Sequence, residues 1–165
     1  MKLEIRLAAK AEKSIISAFM TEYFAEMRAY EETDDDYPYF DLYWSEADRW
    51  PYLISFEGKD IGFAFINNWS PSGKGTDYSF AEFFILKDYR KQGLARYAAV
   101  EILQMHNGFW ELRVAPKNTT ALHFWQAVIR SAQADYVEKF ETEEDLIFRF
   151  RHYSGSFYAD FCSAP

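Results

Sequence analysis

Leu3, Ile5 and Leu7 alternate with Glu4 and Arg6, so residues 2–8 predict a strand. The period then lengthens. Ile15, Ile16, Phe19, Met20, Tyr23, Phe24, Met27 and Tyr30 recur at helical spacing and predict an amphipathic helix over 12–30. An acidic stretch with Pro38 breaks it over 31–38, and a second short helix is expected around 40–49. Residues 52–57 and 61–68 predict two strands joined as a hairpin through Glu57-Gly58-Lys59-Asp60. Residues 70–75, Ser-Pro-Ser-Gly-Lys-Gly, have the composition of a flexible loop.

A strand over 78–86 leads into a helix over 92–106 that is apolar almost all round and ends at Asn107-Gly108. Phe109 to Ala115 is the next strand, with Trp110, Leu112 and Val114 on one face. Strand, helix and strand across 78–115 form a crossover unit, which makes those two strands parallel. A helix over 119–132 and a hairpin of strands over 135–141 and 145–152 complete the body, and an aromatic tail follows at 154–165. The pattern contains no linker or repeat, so residues 1–165 are expected to form one α/β domain of the α+β type.

Composition narrows the partners. The 165 residues carry a net charge of −8, which argues against nonspecific nucleic-acid binding. Aromatic residues make up 20% of the chain, more than a core alone requires, so some are expected to line a cleft or an interface. No apolar run approaches the roughly 18–20 residues of a membrane span. The single cysteine, Cys162, excludes an internal disulfide and reads as an incidental thiol, and no metal-ligand spacing exists. A cytoplasmic protein is expected.

Against this acidic background a basic island stands out: Lys87, Arg90, Lys91 and Arg96 surround a turn reading Arg90-x-x-Gly93-x-Ala95. A strand feeding a glycine turn that opens a helix leaves backbone N–H groups free at the positive end of the helix dipole. That arrangement suits a phosphate or pyrophosphate. Gln92, Gly93, Leu94, Ala95 and Arg96 would supply those N–H groups.

With this turn in place, the element order resembles the GNAT superfamily of N-acetyltransferases. Arg90, Gly93 and Ala95 fit its Arg/Gln-x-x-Gly-x-Gly/Ala acetyl-CoA signature, and Asn118, Ala121 and Phe124 fit its Asn-x-x-Ala-x-x-aromatic pattern. The Glu-Phe-Phe strand and the Phe124-Trp125 pair look like an uncharacterised bacterial subgroup of it.

The resemblance implies a mixed, mostly antiparallel sheet flanked by helices, with one parallel pair, and acetyl transfer from acetyl-CoA to a primary amine by direct attack. It implies that the strand of Phe84, Ile85 and Leu86 runs beside the thioester, with a backbone N–H near Ile85 facing the oxyanion. It also implies that Arg90 and Lys91 belong to the pyrophosphate turn, and that Asn118 and Phe124 contact the pantetheine arm. A homodimer is compatible with it. Two departures accompany the match. Trp125 stands where the family often has a Tyr that protonates the leaving thiolate, and Ile129-Arg130 replaces the usual Gly-Phe.

Glu82 is the candidate base. A free alkyl amine is mostly protonated at neutral pH, and a carboxylate among apolar neighbours has its pKa raised toward the useful range. Alternation places Glu82 with Phe84 and Leu86, and the alternative is a salt-bridged outer-face glutamate. Asn118 serves equally well as a plain helix N-cap.

Between Glu22 and Asp48 stand ten acids and one base, Arg28, interleaved with Tyr37, Tyr39, Phe40, Tyr43, Trp44 and Trp50. That mixture suits a cationic small-molecule or peptide amine, or is a solvated acidic loop. A CoA-binding sensor without turnover, and a scaffold that binds no CoA, remain as rival readings.

Overall fold

The computed structural model describes residues 2–34 and 36–154. The aromatic tail expected from residue 155 onward, with Cys162, lies outside the described residues. The strands are β1 (Leu3–Leu7), β2 (Trp50–Phe56), β3 (Lys59–Asn67), β4 (Tyr78–Ile85), β5 (Gly108–Val114), β6 (Asp135–Glu141) and β7 (Leu146–His152). The helices are α1 (Lys13–Met27), α2 (Leu94–Met105) and α3 (Thr119–Ser131), with short 3-10 turns at Lys10–Glu12, Phe40–Trp44 and Lys87–Tyr89. One seven-stranded sheet runs β1-β2-β3-β4-β5-β7-β6, and only β4 and β5 pair in parallel. This is the mixed α/β architecture expected from the sequence.

Helices cover both faces of the sheet. On one face Ile54, Ala64, Ile66, Trp110, Leu112 and Phe150 pack with α2 and α3, through Ala98, Ile102 and Val128. On the other, Leu53, Phe63, Phe65 and Phe84 pack under Ile16, Phe19 and Met20 of α1 and under Tyr43. Strands buried on both sides lose the alternation that an exposed face imposes, which explains the near-continuous apolar runs of β2 and β3.

The β2–β3 hairpin is tighter than expected. Glu57 (φ 50°) and Gly58 (φ 78°) alone make the turn, a two-residue connection whose twist matches that of the strands. The helix expected over 40–49 is only the 3-10 turn Phe40–Trp44, because Trp50 is taken into β2 opposite Ile66. The loop at 70–75 is anchored and not free. The fully buried Glu111 accepts from Ser70 Oγ at 2.7 Å and from the Ser72 N–H at 2.9 Å.

Two features of the sheet shape the site. Between β3 and β4 the register runs Phe65 opposite Glu82, then Ile66 opposite Phe80, so Ala81 is an extra residue in β4. This bulge turns Phe80 to the α2/α3 face, while Ala81 and Phe84 stay on the α1 face. The β4–β5 pairing then stops: only Tyr78, Ser79 and Phe80 of β4 have partners on β5. Beyond Phe80 the two strands part.

Gly62 lets β3 and β4 approach closely beside this gap. A Cβ at Gly62 would lie 2.0 Å from the Phe84 carbonyl oxygen. Backbone cannot yield as a side chain does. Gly62→Ala is therefore expected to destabilise the fold by about 1–3 kcal/mol, seen as a lower denaturation midpoint with an unchanged slope in urea.

Candidate active site

The 87–96 turn leaves β4 through the 3-10 turn Lys87–Tyr89 and enters α2 at Gly93. Lys91 (φ 66°) and Gly93 (φ 79°) both hold the left-handed conformation, which reverses the chain in few residues. Gly93 is the N-cap of α2 and has no side chain to cap with. The first intrahelical bond runs from Tyr97 N–H to Gly93 O at 3.0 Å. The N–H groups of Leu94, Ala95 and Arg96 precede it and have no partner within the helix. Gln92, Gly93 and Arg96 are exposed, Ala95 half-buried and Leu94 buried, so the open face of this seat is backbone. Lys87, Lys91 and Arg96 are exposed and make no ion pair among the described residues.

Arg90 behaves differently. Its Nε donates to the Ile85 carbonyl at 2.7 Å, and its Nη2 donates to both Glu26 carboxylate oxygens at 3.0 and 2.9 Å. Its guanidinium lies 5.4 Å from the centre of the Phe84 ring. Arg90 is thus no solvated charge. It ties the turn back to β4 and α1.

Leu86 N–H donates to Ile61 O at 2.7 Å, toward β3. Peptide groups alternate along a strand, so the Ile85 N–H and C=O point the other way, into the gap left by β5. The carbonyl is taken by Arg90, and the N–H faces the gap. The side chains of Phe84, Ile85 and Leu86 turn into the two cores, so these residues offer the gap backbone only.

Glu82 faces α1, as alternation from Phe84 requires. Among its sequence neighbours, Ala81, Phe84 and Leu86 share this face, while Phe80 and Phe83 are on the opposite one. Tyr23 of α1 and Tyr37 complete the enclosure. Desolvation dominates and raises its pKa to about 7, against hydrogen bonding from the Tyr23 and Tyr37 hydroxyls and the positive charge of Arg113, and together with the negative charge of Glu31. The same burial beside Glu82 holds the Tyr23 hydroxyl far above the usual tyrosine range, so it stays a donor.

Arg113 reaches this group from β5 and pairs with Asp145 at 3.2 Å and Glu31 at 3.7 Å. It was legible in principle: it alternates with Leu112 and Val114 and so faces α1. Tyr23 was not, because its ring belongs to the apolar stripe of α1 and only the fold shows where its hydroxyl ends. Glu31 also lines a shallow depression of about 580 Å³ with Arg28, Thr33, Asp34 and Lys117.

On the α2/α3 side of the gap, Phe124 stacks on Phe83 with ring centres 5.6 Å apart. Trp125 is buried against Phe80 at 4.8 Å and Phe83 at 5.5 Å, a core residue. Asn118 is the N-cap of α3, with Oδ1 accepting from Ala121 N–H at 3.1 Å. Its Nδ2 makes no hydrogen bond among the described residues.

The acidic segment is less naked than its sequence suggests. Glu26 pairs with Arg90, Glu31 with Arg113, Asp41 with Lys13 and Glu46 with Arg49. Tyr43 stacks on Phe65 at 3.8 Å. Trp50 lies elsewhere, against His106 at 4.9 Å and Tyr78 at 5.5 Å. His106 accepts a structural role there, its Nε2 2.6 Å from the Tyr52 hydroxyl. Tyr136 and Tyr153 lie over Arg151, which pairs opposite Phe109 at the other end of β5 from the gap. No three His, Cys, Asp or Glu side chains among the described residues could hold a metal ion, and no described helix is long and apolar enough to cross a membrane.

A parted β4–β5 pair with an uncapped helix N-terminus beyond it has the shape to accommodate an extended acyl donor that carries phosphate. Residues 16–129 match the acetyltransferase (GNAT) family. The chain belongs to that family, and its donor is acetyl-CoA. Solved structures agree on the fold. A GNAT acetyltransferase from Streptococcus agalactiae superposes with a TM-score of 0.69 at 17% identity, over 92% of this chain and 96% of that one. A diaminobutyrate acetyltransferase from Paenibacillus lautus, in complex with L-2,4-diaminobutyric acid and coenzyme A, gives 0.60 at 14% identity, over 92% and 95%. A PaiA N-acetyltransferase from Thermoplasma acidophilum, in complex with coenzyme A, gives 0.65 at 11% identity, over 92% and 100%. No curated protein sequence matches the chain.

Substitution tests the cap made by Asn118 separately from the donor contact expected of it. Asn118→Ala is expected to cost about 1 kcal/mol without any ligand, through loss of the cap. Asn118→Asp keeps the capping oxygen, so its melting temperature should match the parent while acetyl-CoA affinity, by calorimetry, falls with loss of the Nδ2 donor.

Proposed function

We propose that this chain acetylates a cationic primary amine in the cytoplasm, with Glu82 as the base and no covalent enzyme intermediate. The observation that carries the reading is the Glu82 carboxyl, raised to about 7 on the strand that parts from β5, on the α1 side of the gap. An ordinary carboxylate of pKa near 4 is a weak acceptor for an ammonium proton, and a group near 7 is better matched while still about half ionised at neutral pH.

The donor lies in the gap between β4 and β5. Its pyrophosphate takes the N–H groups of residues 92–96, with Lys91 and Arg96 adding positive charge. Its pantetheine arm passes Asn118 and the Phe83–Phe124 stack. The ammonium gives one proton to Glu82, and the neutral nitrogen attacks the thioester carbonyl. The oxyanion accepts a hydrogen bond from the Ile85 N–H; collapse breaks the carbon–sulfur bond and expels the thiolate, which takes up the second proton that the attacking nitrogen sheds. A thiol of pKa near 8.5 leaves as thiolate with modest help, so an indole at position 125 does not bar turnover.

The acceptor meets the α1 side, where Glu31, Asp145 and Glu82 outnumber Arg113 and the Tyr23 and Tyr37 rings form the wall. That balance favours an amine over an anionic acceptor. Trp125 favours one competing reading, a donor-binding module without turnover.

Glu82→Gln should lower kcat/KM by roughly 10²–10⁴-fold in a thiol-release assay over an amine panel. In the parent, kcat/KM should fall as pH drops through about 7, because the base is then protonated, and the Gln variant should lack that limb. Undiminished activity would exclude Glu82 as base. Acetyl-CoA binding without thiol release from any amine would favour the sensor. Gly93→Glu puts a carboxylate at the phosphate seat and should abolish the rise in melting temperature that acetyl-CoA gives the parent.

A further inference from the structure

Arg90 is the residue of the signature whose side chain the donor seat does not use. Each of its contacts leads toward Glu82. Its Nε holds the carbonyl of Ile85, three residues along β4 from Glu82, and its ring partner is Phe84. Its Nη2 holds Glu26, which is one turn after Tyr23 on α1. Tyr23 packs on the same Phe84 ring, with centres 6.0 Å apart. Phe84 is therefore in contact with Arg90 and with Tyr23.

The Arg90–Glu26 pair is not a source of much stability. The two side chains are 34% and 45% exposed, and pairs this open to water contribute little to stability. Its location is more telling. Glu26 sits in the last turn of α1, where the helix dipole disfavours an acid, and that turn has no basic residue of its own. Arg90 supplies the missing cation from another part of the chain, and in doing so pins the end of α1 to β4.

We propose that Arg90 and Glu26 are a positioning pair: they hold the last turn of α1 against β4 so that the Tyr23 hydroxyl stays on the Glu82 carboxylate. The donor turn and the acceptor wall are then joined through one side chain, and seating of the donor is felt at the base. The proposal rests on Glu82 as base for its consequence, though not for its geometry.

Among the described residues, the charged and titratable groups facing Glu82 are Tyr23 from α1, Glu31, Tyr37 and Tyr43 from the segment after it, and Arg113 from β5. Against that background Glu26→Gln makes a test with a definite sign. Removing a nearby negative charge lowers the midpoint of a carboxylic acid, and so does unmasking Arg90. Losing the Tyr23 hydrogen bond, which favours the ionised form, raises it.

The Glu82 midpoint is read by carbon NMR of glutamate labelled at the side-chain carboxyl, assigned by the signal missing in Glu82→Gln. The expected result is a rise of roughly half a pH unit in Glu26→Gln. Tyr23→Phe should give a similar rise, and Glu26→Gln should raise the midpoint no further once Tyr23→Phe is present. An unchanged or lowered midpoint in Glu26→Gln, or a rise that persists in full on the Tyr23→Phe background, would overturn the pair. The acid limb of kcat/KM for the amine should move to higher pH with the NMR midpoint. Undiminished activity of Glu82→Gln would remove the base assignment and leave the NMR result to judge the pair by itself.

Discussion

The parting of β4 from β5 after Phe80 is the constraint on which the rest of this molecule depends. A strand inside a sheet normally satisfies its peptide groups on both sides. Here one side of β4 is open from the bulge onward, and unpaired buried backbone is costly. The structure answers at one point with a side chain: Arg90 takes the Ile85 carbonyl. It leaves the Ile85 N–H facing the gap. Pairing with β3 continues throughout, with Gly62 allowing close approach, so β4 parts from one neighbour without losing the other.

Around the gap the two faces of the sheet have different chemistry. The α2/α3 side is apolar, with Phe83 stacked on Phe124 and Trp125 behind them. The α1 side holds Glu82, Tyr23, Tyr37, Arg113 and Glu31. The bulge at Ala81 makes the contrast possible. Without the extra residue, period-2 alternation would put Phe80 beside Glu82 on the α1 face. With it, Phe80 joins Trp110 and Trp125 in the other core. The raised proton affinity of Glu82 is then set by a contest in which desolvation exceeds two tyrosine hydroxyls and one guanidinium. Arg113 in turn divides its charge between Asp145 and Glu31, which limits what it offers Glu82.

Much of the proposed donor side was legible in the chain. The strand, the Gly93 turn and the helix after it are adjacent in sequence, and their geometry follows from local rules: a glycine at positive φ and free N–H groups at a helix start. Asn118 is local in the same way, since its cap bond spans three residues. The proposed acceptor side was not legible, because the contacts there join distant segments. The ten acids of 22–48 looked unopposed until Arg90, Arg113, Lys13 and Arg49 folded against four of them. Trp50 looked like part of an aromatic acceptor wall until it paired in β2, and the Gly/Ser-rich 70–75 loop looked free until the buried Glu111 held it.

By itself, the sequence determined most of the elements, their order, the parallel crossover and the uncapped start of α2 at Gly93. These are settled by hydrophobic period, turn chemistry and helix-end hydrogen bonding, which act over a few residues. Only the tertiary structure decided where the gap in the sheet begins, that Arg90 serves α1 and β4, and that Tyr23 and Tyr37 enclose Glu82. Those outcomes depend on strand register and on burial. A single extra residue in β4 moves side chains to the opposite face, and the proton affinity of a carboxyl is set by neighbours that arrive only when the chain has closed around it.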